Sequence, residues 1–307
     1  MENLTKNINS FIILGFSTSP PIQILLFFIF FFMYILTIVE NFLVIIIIWK
    51  SPKLHKPMYF FLGNLSFLES WYVTVTVPKL LSICLTANRG ISYTGCMSQL
   101  FFFLYLGCTE CVLLTVMAYD RYVAICNPLH YVTIMNQRFC LVLAVGTWLI
   151  GFTISFIKMY YISQLTFCYS NHVNHFYCDV SPILNLACTG MKVTEVVDFI
   201  LALIILLVPL LLTFLSYLCI LTTILKIPHS SGRKKAFSTC ASHLVVVIIL
   251  YSTTLFMYAR PSKAHSVNSN KLVSVVYTVV TPFLNPIIYC LRNKEVKDAI
   301  CKLVYRN

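Results

Sequence analysis

A bundle of seven membrane-spanning helices is the fold class this sequence predicts, and three observations carry the prediction. The 307 residues are 59% hydrophobic and only 10% charged, with a mean hydropathy of +0.85, whereas soluble domains run at roughly 45–50% apolar and about 25% charged. The apolar residues form continuous runs of Phe, Ile, Leu and Val, not the alternation of a transmembrane barrel. Seven such runs are long enough to cross a bilayer, which takes about 20 residues of helix with every backbone hydrogen bond made internally.

The runs fall near 22–49, 58–84, 94–119, 140–162, 196–226, 236–259 and 271–291. The first 21 residues have no basic region leading a short apolar core, so the first helix, not a cleaved leader, is expected to direct insertion. No repeat, low-complexity tract or linker interrupts the chain. Residues 1–307 therefore read as one domain: a tail over 1–21, a bundle over 22–291 and a second tail over 292–307.

With seven spans, alternate connections lie on one side. Fourteen of the 22 Lys and Arg, among them Lys50, Lys53, Lys56, Arg121, Arg138, Arg233, Lys234, Lys235 and the Arg292–Arg306 tail, fall on one set; eight, with Lys158 and Lys271 among them, fall on the other. The positive-inside rule places the richer set in the cytosol and the N-terminus outside, as in a multi-pass plasma-membrane protein. The net charge of +12 is then a topology signal with attraction to anionic lipid, not a nucleic-acid footprint. Asn3-Leu4-Thr5 is a glycosylation sequon in the predicted outer tail, while Asn64-Leu65-Ser66 sits inside a helix and is discounted.

Cys96 starts the third span and Arg121 ends it, so the two face opposite compartments. Cys168, Cys178 and Cys188 lie in a polar segment on the Cys96 side, where disulfides persist. Four thiols allow three pairings, and the sequence alone does not choose among them. A zinc site using His172 and His175 is the alternative use of this segment. Most of the remaining cysteines read as small apolar packing residues.

Several strings occur together: PMYFFLGNLSFLE (57–69), MAYDRYVAICNPLHY (117–131), SY (216–217), KAFSTCASHL (235–244) and PFLNPIIYCLRN (282–293). In this combination and order the chain resembles the olfactory receptors, a family of rhodopsin-like G-protein-coupled receptors. The resemblance spans all seven helices and implies the pairings Cys96–Cys178 and Cys168–Cys188. Two departures stand out. Glu40 precedes Asn41 where the family often has Gly, and the Phe-Tyr-Gly pattern of the sixth helix reads Leu250-Tyr251-Ser252.

Taken alone, Asp120-Arg121 reads as a snorkelling pair at the membrane edge. Within its string, Tyr122 included, it reads as a switch, because the Arg121 guanidinium can pair with Asp120 or be released to meet carbonyls of a docking helix. Tyr217 belongs to the same set by resemblance. On the seventh helix, Pro286 supplies no N–H and Pro282 stands four residues before it, so the carbonyls of Pro282 and Thr278 lose their helical partners and a bend is expected there. Asn285 can reach the freed groups and Tyr289 lies one turn on. Arg233, Lys234 and Lys235 form a cationic rim that in this family meets the G protein. After Arg292 the pattern Val296, Ile300, Leu303 suits a short amphipathic helix on the membrane, with Cys301 as a palmitoylation candidate.

For the ligand, helical turns counted back from Arg121 place Phe103, Leu104, Gly107, Cys108 and Cys111 along the outer half of the third helix. They are expected to meet Leu201 and Ile205, then Thr254, Leu255 and Tyr258, and finally Thr278. The pocket is mainly apolar with a few hydroxyls. Phe103 stands where amine receptors typically carry an aspartate, which argues against an amine ligand. Glu69 and Glu110 are carboxylates inside the membrane and functional by default; a shared proton or a bound sodium ion are the physical options, and no other cofactor is expected.

The resemblance implies a receptor, not an enzyme. Its partners are a small volatile odorant, membrane lipid and a heterotrimeric stimulatory G protein of the olfactory type that raises cyclic AMP, with no nucleic acid. The alternatives are a rhodopsin-like receptor for a non-odorant small molecule and, from another class, a transporter or channel, which paired half-sequences and matching helix breaks would mark. Neither occurs in this chain.

Overall fold

The computed structural model describes residues 9–16, 18–86, 88–168, 170–226, 230–258, 267–292 and 295–299. Six long helices come first: α1 Pro20–Lys50, α2 Pro57–Thr86, α3 Tyr93–Cys126, α4 Gln137–Ser163, α5 Met191–Leu225 and α6 Ser230–Tyr258. The seventh span is built in pieces, α7 Val267–Val275, a π-helical turn Val276–Val280 and α8 Thr281–Arg292. All seven predicted spans are present. Among the described residues α1, α3, α4, α5 and the stretch 270–289 are long and apolar enough to cross a membrane. The core of α2 is diluted by Asn64, Ser66, Glu69 and Ser70, of which the last three are buried inside the bundle.

Helix starts are set by local chemistry. Ser92 precedes α3 and its hydroxyl accepts from the Gly95 N–H at 3.1 Å; Asn136 does the same for α4, accepting from Phe139 at 2.9 Å. Each side chain satisfies a donor the first helical turn leaves unpaired. α3 then passes through the middle of the molecule, touching α2, α4, α5 and α6. It runs one and a half turns past Arg121, to Cys126, so the predicted end of this span was too early. The charged pair lies in continuous helix and not at its terminus.

Close approach of α3 and α4 depends on a residue without a side chain. A Cβ at Gly151 would lie 2.1 Å from the Thr109 hydroxyl and 3.0 Å from its backbone nitrogen. Further along, the Thr115 hydroxyl of α3 lies 3.2 Å from the carbonyl of Pro209 in α5. The outward faces of α1, α4 and α5 carry exposed Phe, Leu, Ile and Val throughout, the surface a bilayer covers.

The bend expected at Pro282 and Pro286 takes a different form. Both prolines sit within α8, and the irregularity lies just before them, where the Thr281 N–H and hydroxyl both reach the Val276 carbonyl. Since Pro282 lacks the N–H that would close an ordinary turn, widening the preceding turn by one residue is how the backbone absorbs the loss. Beyond α8, residues 295–299 are helical with Val296 and Ala299 buried, as an amphipathic segment requires; Ile300, Cys301 and Leu303 lie outside the described residues. Lys56 grips both Glu295 oxygens at 2.8 Å, and the Tyr59 hydroxyl donates to the same carboxylate at 2.9 Å.

A small cap closes the end of the bundle that carries Cys96. Strand β1 (Ser10–Ile13) pairs with β2 (Gly90–Ser92) and, in parallel, with β4 (His172–Val173); β3 (Thr166–Phe167) pairs with β5 (Ala187–Thr189). Cys96 is bonded to Cys178 and Cys168 to Cys188, the pairing the resemblance implied. His175 is bonded to Ser274, and no cluster of metal ligands occurs among the described residues. Asn64, half-buried in α2, donates to the Phe60 carbonyl and accepts from the Trp148 indole of α4, within a helix as expected. Asn3 lies outside the described residues.

Gly151→Ala tests the α3–α4 contact. Inserting a methyl group against Thr109 should destabilise the protein by about 1–3 kcal/mol, read as a lower melting temperature in detergent, while Gly146→Ala, where a Cβ meets nothing within 4 Å, should leave it unchanged.

Candidate functional site: a cavity beneath the cap and a polar switch at the other end

Between α2, α3, α4, α5, α6 and the π turn lies a cavity walled by Tyr72, Phe103, Leu104, Gly107, Cys108, Glu110, Cys111, Lys158, Ala202, Ile205, Leu206, Leu250, Thr254 and Tyr277. Of the residues read from the sequence, Phe103, Leu104, Gly107, Cys108, Cys111, Ile205 and Thr254 are in this wall. Leu201 is partly buried against the core and Leu255 is half-buried, neither lining the cavity. Thr278 is buried with its hydroxyl turned back to the Ser274 carbonyl at 2.7 Å; the inward residue at that level is Tyr277. The Tyr258 side chain lies outside the described residues.

The cap end of the cavity is aromatic. Phe103 packs against Tyr72 at 5.3 Å between ring centroids, Tyr177 at 4.8 Å and Tyr277 at 6.0 Å. One turn further in, Gly107 leaves room, since a Cβ there would stand 3.9 Å from the Tyr72 ring. Lys158 supplies a charge that sequence counting assigned to a loop. It projects from α4 into the bundle, only 4% of its side chain exposed, and its ammonium pairs with Asp198 of α5 at 2.8 Å. An ammonium carries three donors, so the group that pairs with Asp198 can also donate into the cavity it lines.

At the far end of the wall Glu110 joins a second polar group. Asn285 donates to Glu69, and Glu110 is close enough for the two carboxyl charges to interact. Asn41 lies alongside, donating to the Thr37 carbonyl at 3.0 Å. Among the described residues the Asn41 Oδ1, Glu110 Oε1 and Asn285 Oδ1 atoms, all buried, have no hydrogen-bond donor. Four oxygen-bearing side chains thus converge, an arrangement suited to a hard cation or a shared proton.

The Arg121 end is held by a separate set of contacts. Arg121 pairs with Asp120 at 3.1 Å, and Asp120 accepts from the Tyr131 hydroxyl at 2.8 Å. Nearby, His243 Nε2 meets the Leu114 carbonyl at 3.0 Å. A carbonyl only accepts, so this nitrogen carries the proton and Nδ1 accepts from Tyr217, 2.7 Å away. That chain of bonds joins α3, α6 and α5. Sequence reasoning named Tyr217 but neither His243 nor Tyr131, although both stand in the quoted strings. Tyr122 packs against this cluster, Tyr289 is half-buried with a hydroxyl that has no partner among the described residues, Pro286 is buried, and Arg233 is exposed at the start of α6. The Lys234 and Lys235 side chains lie outside the described residues.

The sequence matches the olfactory receptor family over residues 30–307. This chain belongs to the olfactory receptor family. Olfactory receptor 6B1 of Homo sapiens is 59% identical over 305 residues, 99% of this chain and 97% of that one; olfactory receptor 6B9 of Mus musculus is 57% identical over 304 residues, covering 99% and 96%. Among solved structures, squid rhodopsin superposes with a TM-score of 0.74 at 15% identity, covering 95% of this chain and 83% of rhodopsin, which establishes the shared seven-helix fold. The olfactory receptor described here is accordingly a membrane-embedded G-protein-coupled receptor, not an enzyme.

Two titratable groups of the cap oppose each other. Burial, and then the neighbouring Lys271 ammonium, hold the His175 imidazole down at about 3, so below the ordinary histidine value of 6.5 the unfolded cap takes up protons that the folded cap refuses. Stability falls as pH drops through that window. Burial pushes the Asp179 carboxyl up to about 6, so between about 6 and the model-peptide value near 3.9 the folded cap holds the extra proton and gains stability on acidification. Removing one partner should expose the other. On going from pH 7 to pH 5, Asp179→Asn should lose more thermal stability than the unmodified receptor, and His175→Gln less; equal pH slopes in all three would refute the assignment.

Proposed function

We propose that this receptor sits in the plasma membrane with its disulfide-bonded cap outside, binds a small and mainly apolar odorant in the cavity beneath the cap, and activates a stimulatory G protein of the olfactory type, raising cyclic AMP. The observation that carries the reading is the cavity itself, enclosed by apolar and aromatic side chains between α3, α5 and α6, with the Asp120–Arg121 and Tyr217–His243 contacts at the far end of those same helices. The orientation rests on two disulfides at one end and the excess of Lys and Arg at the other.

Affinity in such a cavity comes mainly from dispersion and burial, roughly 25 cal/mol per Å² of apolar surface. Lys158 adds one directed interaction. An odorant with a hydrogen-bond acceptor at one end of an apolar body fits this wall better than a hydrocarbon of the same length. Hydrogen bonds to charged groups contribute about 1.5–3 kcal/mol, so Lys158→Met should weaken acceptor-bearing agonists by about ten-fold or more in a cyclic AMP reporter assay and leave hydrocarbon agonists of matched length nearly unaffected. Arg121→Ala should remove the cyclic AMP response to every odorant in the panel without removing the receptor from the cell surface. A panel that evokes no cyclic AMP from well-surfaced receptor would overturn the reading.

A sodium ion suits the oxygens of Glu69, Glu110, Asn41 and Asn285, and these residues would hold it in the resting state, where its charge offsets the buried carboxylates. Replacing sodium by N-methyl-D-glucamine should then shift basal cyclic AMP, and Glu69→Gln should abolish the shift. A shift that survives in Glu69→Gln places the sodium effect elsewhere.

A further inference from the structure

Two cysteines of α3 stand in the cavity wall one helical turn apart, and their surroundings differ. Cys108 and Cys111 are both free, buried and in the wall. The close approach of Gly151 to Thr109 brings the next turn of α4 against α3 at the level of Cys108. There the Ser155 hydroxyl and the Lys158 charge are both near enough to act on the Cys108 thiol. For Cys111 the neighbouring groups are Cys108 and Glu110.

Ser155 departs from the pattern of its own helix. Thr147 and Thr153 turn back to the carbonyls of Leu143 and Leu149 at 2.8 Å, whereas the wholly buried Ser155 makes no such bond among the described residues. Its hydroxyl is left to the thiol. Lys158 is prevented from acting as an amine, because Asp198 holds it as an ammonium at 2.8 Å. A nitrogen whose lone pair carries a proton polarises a carbonyl and does not attack it. The cavity therefore holds a nucleophile, Cys108, and a separate anchor for a carbonyl oxygen, Lys158.

We propose that Cys108 captures α,β-unsaturated carbonyl ligands covalently, with Lys158 holding the carbonyl oxygen and the apolar chain lying along Ile205, Leu206 and Leu250. This rests on the reading of the cavity as the ligand site. The step is a conjugate addition. The Cys108 sulfur bonds to the β-carbon, the C=C electron pair moves toward the carbonyl oxygen, and the Lys158 ammonium holds the enolate that forms. The thiol proton passes to the Lys158–Asp198 pair and a proton returns from that pair to the α-carbon. Ligand and thiol are thus joined whole, with no leaving group and no net oxidation or reduction. Burial makes a free thiolate costly in this wall, which renders the capture selective: an electrophile whose developing charge reaches the ammonium is favoured over one with no oxygen to place there. A saturated ketone of the same length occupies the same space and leaves again.

Purified receptor in lipid nanodiscs is exposed to pentyl vinyl ketone, and adducts at each cysteine are followed by peptide mass spectrometry. Methyl methanethiosulfonate, a small neutral thiol reagent, is run in parallel to measure access alone. Relative to that reagent the enone should modify Cys108 about ten-fold faster than Cys111, the scale of one donor to a developing oxyanion or somewhat below it. Lys158→Met should lower the enone-to-thiosulfonate ratio at Cys108 by about ten-fold or more, Lys158→Arg by much less, and neither should change the ratio at Cys111. Ethyl pentyl ketone, the saturated counterpart, should slow both reagents at Cys108. A ratio at Cys108 equal to that at Cys111, or one unaltered in Lys158→Met, would overturn the capture even where ethyl pentyl ketone protects. Absence of protection by ethyl pentyl ketone would overturn the ligand-site reading on which the capture rests. Neither readout depends on G protein or cyclic AMP.

Discussion

The covalent tie between Cys96 and Cys178 fixes the top of α3 to the loop that roofs the bundle, and the geometry of the receptor is set from that point. α3 is the helix every functional feature shares: its first turns carry the disulfide, its middle supplies more of the cavity wall than any other helix, and its last turns present Asp120 and Arg121. Joining residues 82 apart in sequence removes much of the freedom of the intervening chain, worth a few kcal/mol in the loop-entropy account. The tie does more than stabilise. It holds Tyr177 against Phe103 and sets the depth at which the cavity begins, so every position counted down α3 inherits its level from Cys96.

Within the bundle the governing constraint is the satisfaction of polar groups in a medium without water. Hydroxyls of Thr37, Thr109, Thr147 and Thr278 turn back to carbonyls four residues earlier, and Lys158 takes an aspartate from the adjacent helix. These arrangements close their own accounts and read as structure. Among the described residues Asn41, Glu110, Asn285 and Tyr289, between the cavity and the Arg121 end, instead leave buried atoms without partners, as Thr18, Ser155 and His175 do elsewhere. Buried groups of this kind mark candidate positions for a bound ion, a shared proton or a second conformation.

The architecture was legible in the sequence because hydropathy and length act on whole segments, and a run such as PPIQILLFFIFFFMYILTIVENFLVIIII allows one solution in a bilayer. Positions on α3 were also legible: Phe103, Leu104, Gly107, Cys108 and Cys111 follow the helical period from a fixed landmark. The phase of the other helices was not. On the seventh span the π turn rotates the face by about 100°, the angle of one residue, and Tyr277 stands in the wall where Thr278 was expected. Lys158 was lost for a related reason, since a topology count treats each basic residue as a loop marker and does not see Asp198 of the next helix waiting for it. His243 carried no signal of its own until the fold placed it between Tyr217 and Leu114.

Glu110 is where the cavity and the switch meet, and its position limits how a ligand could reach the far end of the receptor. It lines the cavity on one side and lies beside Glu69 on the other, and Glu69 accepts from Asn285, four residues before the half-buried Tyr289 on the helix that leads to the Arg121 end. A ligand shifts a conformational equilibrium only by the difference in its interaction with the two states. Contacts with Leu104 or Ile205 are made to apolar surface that packs in any arrangement of the bundle and so contribute mainly to affinity. A change in the surroundings of Glu110 alters the stability of a buried, incompletely hydrogen-bonded carboxyl group, the kind of term that differs sharply between two packings of the same helices. Efficacy in this receptor is therefore expected to follow how a ligand disposes its groups toward the inner end of the cavity, and affinity to follow how completely it fills the apolar and aromatic remainder.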